Sequence, residues 1–194
     1  MRKVVLQEFV TLDGLVTGPN GSVDFIPATT RNDARFGGEQ VALMETVDTL
    51  ILGRVTYAML AASWPSVTEG AEQGFVERFN ALSKVVFSRT LDRAPWGRSS
   101  EGRIVRTSPV EKVARMRREP GKSILISGSI SVAQSLIDEN LIDEYRFILC
   151  PVVLGNGRRL FRNDFGSITM TLVGARTLDR GGVSLIFNPR DPTA

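Results

Sequence analysis

The 194-residue sequence contains no histidine and a single cysteine, Cys150. The first absence excludes Ser-His-Asp and Cys-His catalysis, histidine-ligated metals and the His/Cys zinc site of nucleobase deaminases. One cysteine excludes an intrachain disulfide. No apolar run approaches the about 18 residues that a membrane-spanning helix needs. The opening "MRKVVLQEFVTLDG" has charged and polar residues where a secretory signal would carry its apolar stretch. Together these lead us to expect a cytoplasmic protein with no metal and no membrane partner. Its chemistry must then use carboxylates, hydroxyls, backbone amides or a bound cofactor.

What is present fits a globular chain. Hydrophobic residues make up 42% and charged residues 23%, which allows a sizeable core and a single domain over 1–194. The net charge of +3 raises the question of nucleic acid. The basic residues are scattered, however, and only "RMRRE" (115–119) is dense, so that cluster reads as a solvated helix face. Surplus arginine suits anionic small molecules better.

Periodicity gives an α/β order. "KVVLQEFVTL" (3–12) is a strand ending at Asp13-Gly14, followed by a loop rich in Gly, Pro and Asn. Helices are expected over 33–47, over "RVTYAMLAASW" (54–64) and over about 70–82, with strands at 48–53 and 84–88. "GRIVR" is a short strand. In "SPVEKVARMRRE" Ser108, Pro109 and Glu111 fit a capping box with proline at the first helical position. "SILIS" (123–127) is a strand, and Ser131 with Gln134 suggests a second capping box in "SVAQSLIDEN". "DEYRFILCPVV" is a strand. "SITMTLVGARTL" and "GVSLIFNP", joined by "DRGG", form an antiparallel hairpin at one edge of a mostly parallel sheet.

Ligands of parallel sheets gather where strands end and helices begin. Three such junctions share one chemistry. In "ILGRVTY", Gly53 permits close approach, Arg54 offers a guanidinium and Thr56 a hydroxyl; "VVFSRTL" supplies Ser88 and Arg89; Gly128, Ser129, Ile130 and Ser131 open a helix. Helix N-termini and arginine forks favour phosphate. "GKS" (121–123) is no P-loop, because Met116 stands at the first glycine position and the strand follows it.

In this order the segments "LDGLVTGPNGSVDF", "LILGRVTY", "KVVFSRTL", "ILISGSISVAQSLI" and "LIDEYRFILCPVVLGNGRRLF" resemble the dihydrofolate reductase-like fold. They are most similar to the C-terminal reductase domain of the bifunctional riboflavin-biosynthesis deaminase/reductase and its stand-alone bacterial homologues. The resemblance implies a three-layer α/β/α architecture and NADPH. It implies contacts of Arg54, Ser88 and Arg89 with the 2′-phosphate, of Thr56 and Gly128–Ser131 with the pyrophosphate, and of Val10 and Val16 with the nicotinamide.

The family reaction is hydride transfer to a C=N or C=O carbon of a pterin-like or pyrimidine-like heterocycle. The narrower alternatives are 5-amino-6-(5-phosphoribosylamino)uracil reduction and dihydrofolate reduction; an NADPH-binding protein without catalysis is a third reading. Dihydrofolate reductases carry an acid early in the first helix. Here that count reaches Gly37-Gly38, with Glu39 just beyond. Candidate acids are therefore Glu39, Asp33 and Asp24, together with Asp13 of "LDG". Arg158 or Arg159 could meet an anionic substrate. No His or Cys pair is present to hold the zinc of a deaminase domain, so only the reductase step is expected, in a homodimer.

Overall fold

A computed structural model describes residues 1–67, 73–98 and 100–190. In chain order its elements are β1 (Val4–Thr11), β2 (Leu15–Thr17), α1 (Phe25–Thr30), α2 (Ala34–Thr46), β3 (Val47–Gly53), α3 (Arg54–Ser63), α4 (Gln73–Ala81) and β4 (Ser83–Phe87). There follow β5 (Pro95–Trp96), β6 (Ser100–Glu101), β7 (Arg103–Val105), α5 (Pro109–Met116), β8 (Ser123–Ser127) and α6 (Ile130–Asp138). The chain continues through β9 (Glu144–Cys150), β10 (Arg158–Arg159), β11 (Met170–Thr177) and β12 (Val183–Pro189). Among the described residues no helix is long and apolar enough to cross a membrane.

Eight strands form one sheet in the order β11-β12-β9-β1-β8-β3-β4-β7. The run from β9 to β7 is parallel; β12 joins β9 antiparallel, and β11 closes the edge as the expected hairpin. Strands covered on both faces need apolar side chains on both, and β1 follows this rule. Val4 and Leu6 pack with Ile124, Ile126 and residues of α5 and α6, whereas Val5 packs with Leu50, Leu125 and residues of α2 to α4. Two cores thus sandwich the sheet, which is the expected three-layer arrangement.

Local signals fixed helix positions better than helix caps. α5 starts at Pro109 as expected, but the Ser108 side chain makes no capping hydrogen bond. α6 begins at Ile130, one residue before the expected cap, and Ser129 is its N-cap. Gln134 donates instead to the carbonyls of Arg159 (3.2 Å) and Leu160 (3.0 Å). Tertiary partners thus take Gln134 away from the second capping box. The segment after Asp13 is not a plain loop, since β2 pairs with β10 and α1 follows. Gly157 makes that pairing possible, because a Cβ there would overlap the Thr17 carbonyl. The fourth helix is described from Gln73, and the start expected near residue 70 lies outside the described residues.

Candidate functional site

The ends of β3, β4 and β8 open onto one cleft of about 1260 Å³. This exceeds the about 300–1,000 Å³ usual for a single small ligand. Val16, Gly53, Arg54, Thr56, Ser88, Arg89 and Gly128–Ser131 all line it. Val10 does not; it packs against the core beside α6.

Two turns are clasped together at the floor. The Ser129 hydroxyl accepts from Gly53 N (3.0 Å), and the Thr56 hydroxyl accepts from Ser129 N (3.0 Å). Gly128 N donates to the Gln7 carbonyl at 3.3 Å, which ties the same turn to β1. Gly128 and Ser129 both have left-handed backbones, at φ 61 and 64. A side chain at 128 would also press on Thr56, whose Cγ2 lies 3.1 Å from an added Cβ. This geometry brings the N-terminus of α6 to the cleft, where the first helical amides lack intrahelical partners. The carbonyl of Ser129 serves Val132 and Ala133, and no backbone partner is present for the Ile130 and Ser131 amides among the described residues.

Arg54 is the first residue of α3, and Arg89 stands just past β4; both are exposed. Among the described residues neither has a carboxylate partner. Ser88 is buried, and its hydroxyl accepts from Thr90 N (3.2 Å) and Leu91 N (3.0 Å), so it shapes the turn that presents Arg89. Free amides, a helix dipole and two unpaired guanidiniums suit a ligand with several phosphates. The residues present therefore fit a phosphorylated dinucleotide. Of the two C-terminal arginine candidates, Arg158 lines the cleft and Arg159 does not; Arg31, not anticipated, lines it too.

The expected acids are distributed differently. Asp13 lies outside the cleft lining, and its carboxylate accepts from the Thr11 hydroxyl (2.6 Å), Gly155 N (2.7 Å) and Leu154 N (3.2 Å). The Thr11 hydroxyl and the Gly155 amide hold its carboxyl down at about 2. Glu39 is also outside the lining and pairs with Arg176 of β11 at 3.4 Å. Asp33 lines the cleft, but it caps α2 by accepting from Phe36 N (2.9 Å) and also accepts from Arg180 N (3.2 Å). Asp24, exposed at the rim, accepts from the Ser22 hydroxyl at 2.7 Å.

The acid that sequence reading missed is Glu8. It lines the cleft from the middle of β1, is 4% exposed, and its Oε1 has no hydrogen-bond partner among the described residues. Burial pushes its carboxyl up to about 8. Its neighbour Gln7 faces the other way and exchanges amide hydrogen bonds with Gln40 (2.9 and 3.2 Å). The available signal was an acid inside a strand whose sequence is otherwise largely apolar.

The sheet order and the site at its strand ends define a dihydrofolate reductase-like protein. The fold matches that of a candidate riboflavin biosynthesis protein from Shewanella sp. PV-4 (TM-score 0.76, 22% identity, 97% of this chain and 99% of that one). It also matches the dihydrofolate reductase of Enterococcus faecalis, solved with NADP(H) (TM-score 0.64, 13% identity, 97% of each chain). The RibD C-terminal domain family matches residues 2–184, and the chain belongs to that family. It is similar to the uncharacterized protein YyaP of Bacillus subtilis (strain 168), with 28% identity across 96% of this chain and 95% of that one.

Proposed function

We propose that this protein is a single-domain, NADPH-dependent reductase of a pterin-like or pyrimidine-like heterocycle. The observation that carries this reading is that Arg54 and Arg89, which have no carboxylate partner among the described residues, share one cleft with the N-terminus of α6. When bound, the dihydronicotinamide supplies a hydride. Arg54 and Arg89 would hold the 2′-phosphate, with Ser88 shaping the turn beneath it. Thr56, Gly53 and Gly128–Ser131 would hold the pyrophosphate. Val16 would flank the nicotinamide. Val10 would act through the core beneath, since it stays outside the cleft.

Room remains for a planar substrate, and the apolar walls exclude water from it. Arg31 and Arg158 add positive charge that an anionic substrate would use. Dihydrofolate itself fits less well, because no carboxylate from within α2 lines the cleft; Asp33 caps that helix instead. Asp13 and Glu39 would serve as positioning residues, through the Leu154–Gly155 backbone and through Arg176 respectively.

The protein would work in the cytoplasm, without nucleic acid, membrane or metal. The exposed Leu172 and Val173 on the edge strand β11 support a second copy as partner. A screen of pteridines and pyrimidines that follows NADPH absorbance tests the reading. Reduction of at least one compound by the wild type, lost at low NADPH in the Arg54→Ala/Arg89→Ala double variant, is expected. NADPH binding with no compound reduced would favour the non-catalytic reading.

A further inference from the structure

We propose that Glu8 is the catalytic acid of this cleft, giving its proton to a ring nitrogen or carbonyl oxygen of the heterocycle as the adjacent carbon is reduced. The assignment rests on the reductase reading above. It starts from an imbalance: buried polar atoms normally find partners. Five buried side-chain atoms do not, among the described residues, and two of these, Glu8 Oε1 and Thr17 Oγ1, belong to residues lining this cleft. A ligand seated there would supply what the protein withholds.

Alternation along β1 puts Glu8 on the face of Leu6, toward α6, with Phe147 of β9 in register beside it. The turn at Gly128 is bonded to the backbone of Gln7, the residue before it. Glu8 therefore lies one residue past the phosphate turn along β1, and it lines the cleft together with Val16, the residue placed against the nicotinamide, and Thr17.

Among the described residues no ion pair offsets its burial, and its Oε1 accepts no hydrogen bond. β8 and β2 carry no ionisable side chain. On β9, Glu144 pairs with Lys3 and Arg146 (2.5 Å each), and burial pushes the Tyr145 phenol up to about 12. Asp138, at the far end of α6, pairs with Arg162 at 2.7 Å. Arg158 of β10 reaches the same cleft, and Asp13 is bonded to the Leu154–Gly155 backbone. A carboxyl in such surroundings keeps its proton at neutral pH, which is the state a general acid requires.

The step balances. The Glu8 O–H bond breaks and an N–H or O–H bond forms on the heterocycle. Hydride from the dihydronicotinamide, which is oxidised, reaches the neighbouring carbon, so a C=N or C=O bond is reduced. The glutamate regains a proton from water after product leaves. Glu8→Gln keeps the shape and a hydrogen-bond donor but has no transferable acid proton.

The test needs no known substrate at its first stage. Infrared spectra of the NADPH complex, wild type against Glu8→Gln, should show a carboxylic-acid carbonyl band at pH 7 that fades as pH rises past about 8. A carboxylate at pH 7 would overturn the proposal. For any heterocycle that the wild type reduces, Glu8→Gln should lower kcat by about 10²-fold or more and remove the decline above about pH 8. NADPH affinity should stay within a few-fold. Unchanged kcat in the variant sinks the role of Glu8 and leaves the reductase reading standing. Failure of the wild type to bind NADPH, or NADPH binding with no heterocycle reduced, removes both.

Discussion

Glu8 and Asp13 are close neighbours along the chain, yet their surroundings drive their carboxyls apart, one up to about 8 and the other down to about 2. Burial without a partner raises the first; donated hydrogen bonds lower the second. Glu8 therefore links stability to pH. Its folded pKa lies above its unfolded value, so its full contribution is present below about 4.5 and is lost as pH rises through about 8. Urea unfolding at pH 5 and pH 8 should show the wild type losing stability relative to Glu8→Gln over that window. The loss is about 1.4 kcal/mol per pH unit between the two pKa values at most. A constant difference would mean that Glu8 is charged and paired. Glu8 was hard to read from the sequence because its burial is imposed by β8 and β9, which lie far along the chain. "VVLQEFV" shows the acid but not what covers it.

At the scale of elements, the junctions of strand and helix were legible. Arginine, serine, threonine and glycine after short apolar runs mark them in the sequence, and the structure gathers those residues into one cleft. The pairing of β2 with β10 was not legible, since it joins segments from opposite ends of the chain through the close approach at Gly157. The second task of the Ser129 hydroxyl was not legible either: it holds the end of β3 through Gly53 N. Ser129→Ala leaves that amide without its acceptor and should cost about 1–3 kcal/mol in unfolding free energy. Because the clasp positions the α6 amides, NADPH affinity should also fall, by roughly tenfold, the equivalent of 1.4 kcal/mol. Titration of the variant with NADPH checks this, and unchanged affinity would show that the turn holds its shape alone.

For the whole molecule, the cleft carries four arginines, at 31, 54, 89 and 158, without a carboxylate partner among the described residues. Its two other lining acids, Asp24 and Asp33, are fewer than the arginines and accept from Ser22 and Phe36 rather than from a guanidinium, and burial pushes the Glu8 carboxyl up to about 8. The sheet, its hairpin edge and the two cores were legible as an α/β order because apolar runs and breakers mark them. The charge balance of the cleft was not, because Arg31 and Arg158 reach it only through α1 and the β2–β10 pairing. The central claim is that this balance reads a 2′-phosphate. Thermal unfolding with NADPH, with NADH and with neither tests it most directly. At a hundred times its dissociation constant NADPH should stabilise the native state by about 2.7 kcal/mol, NADH at the same concentration should do much less, and Arg54→Ala/Arg89→Ala should erase the difference. Equal shifts with both cofactors, or none with either, would contradict the account.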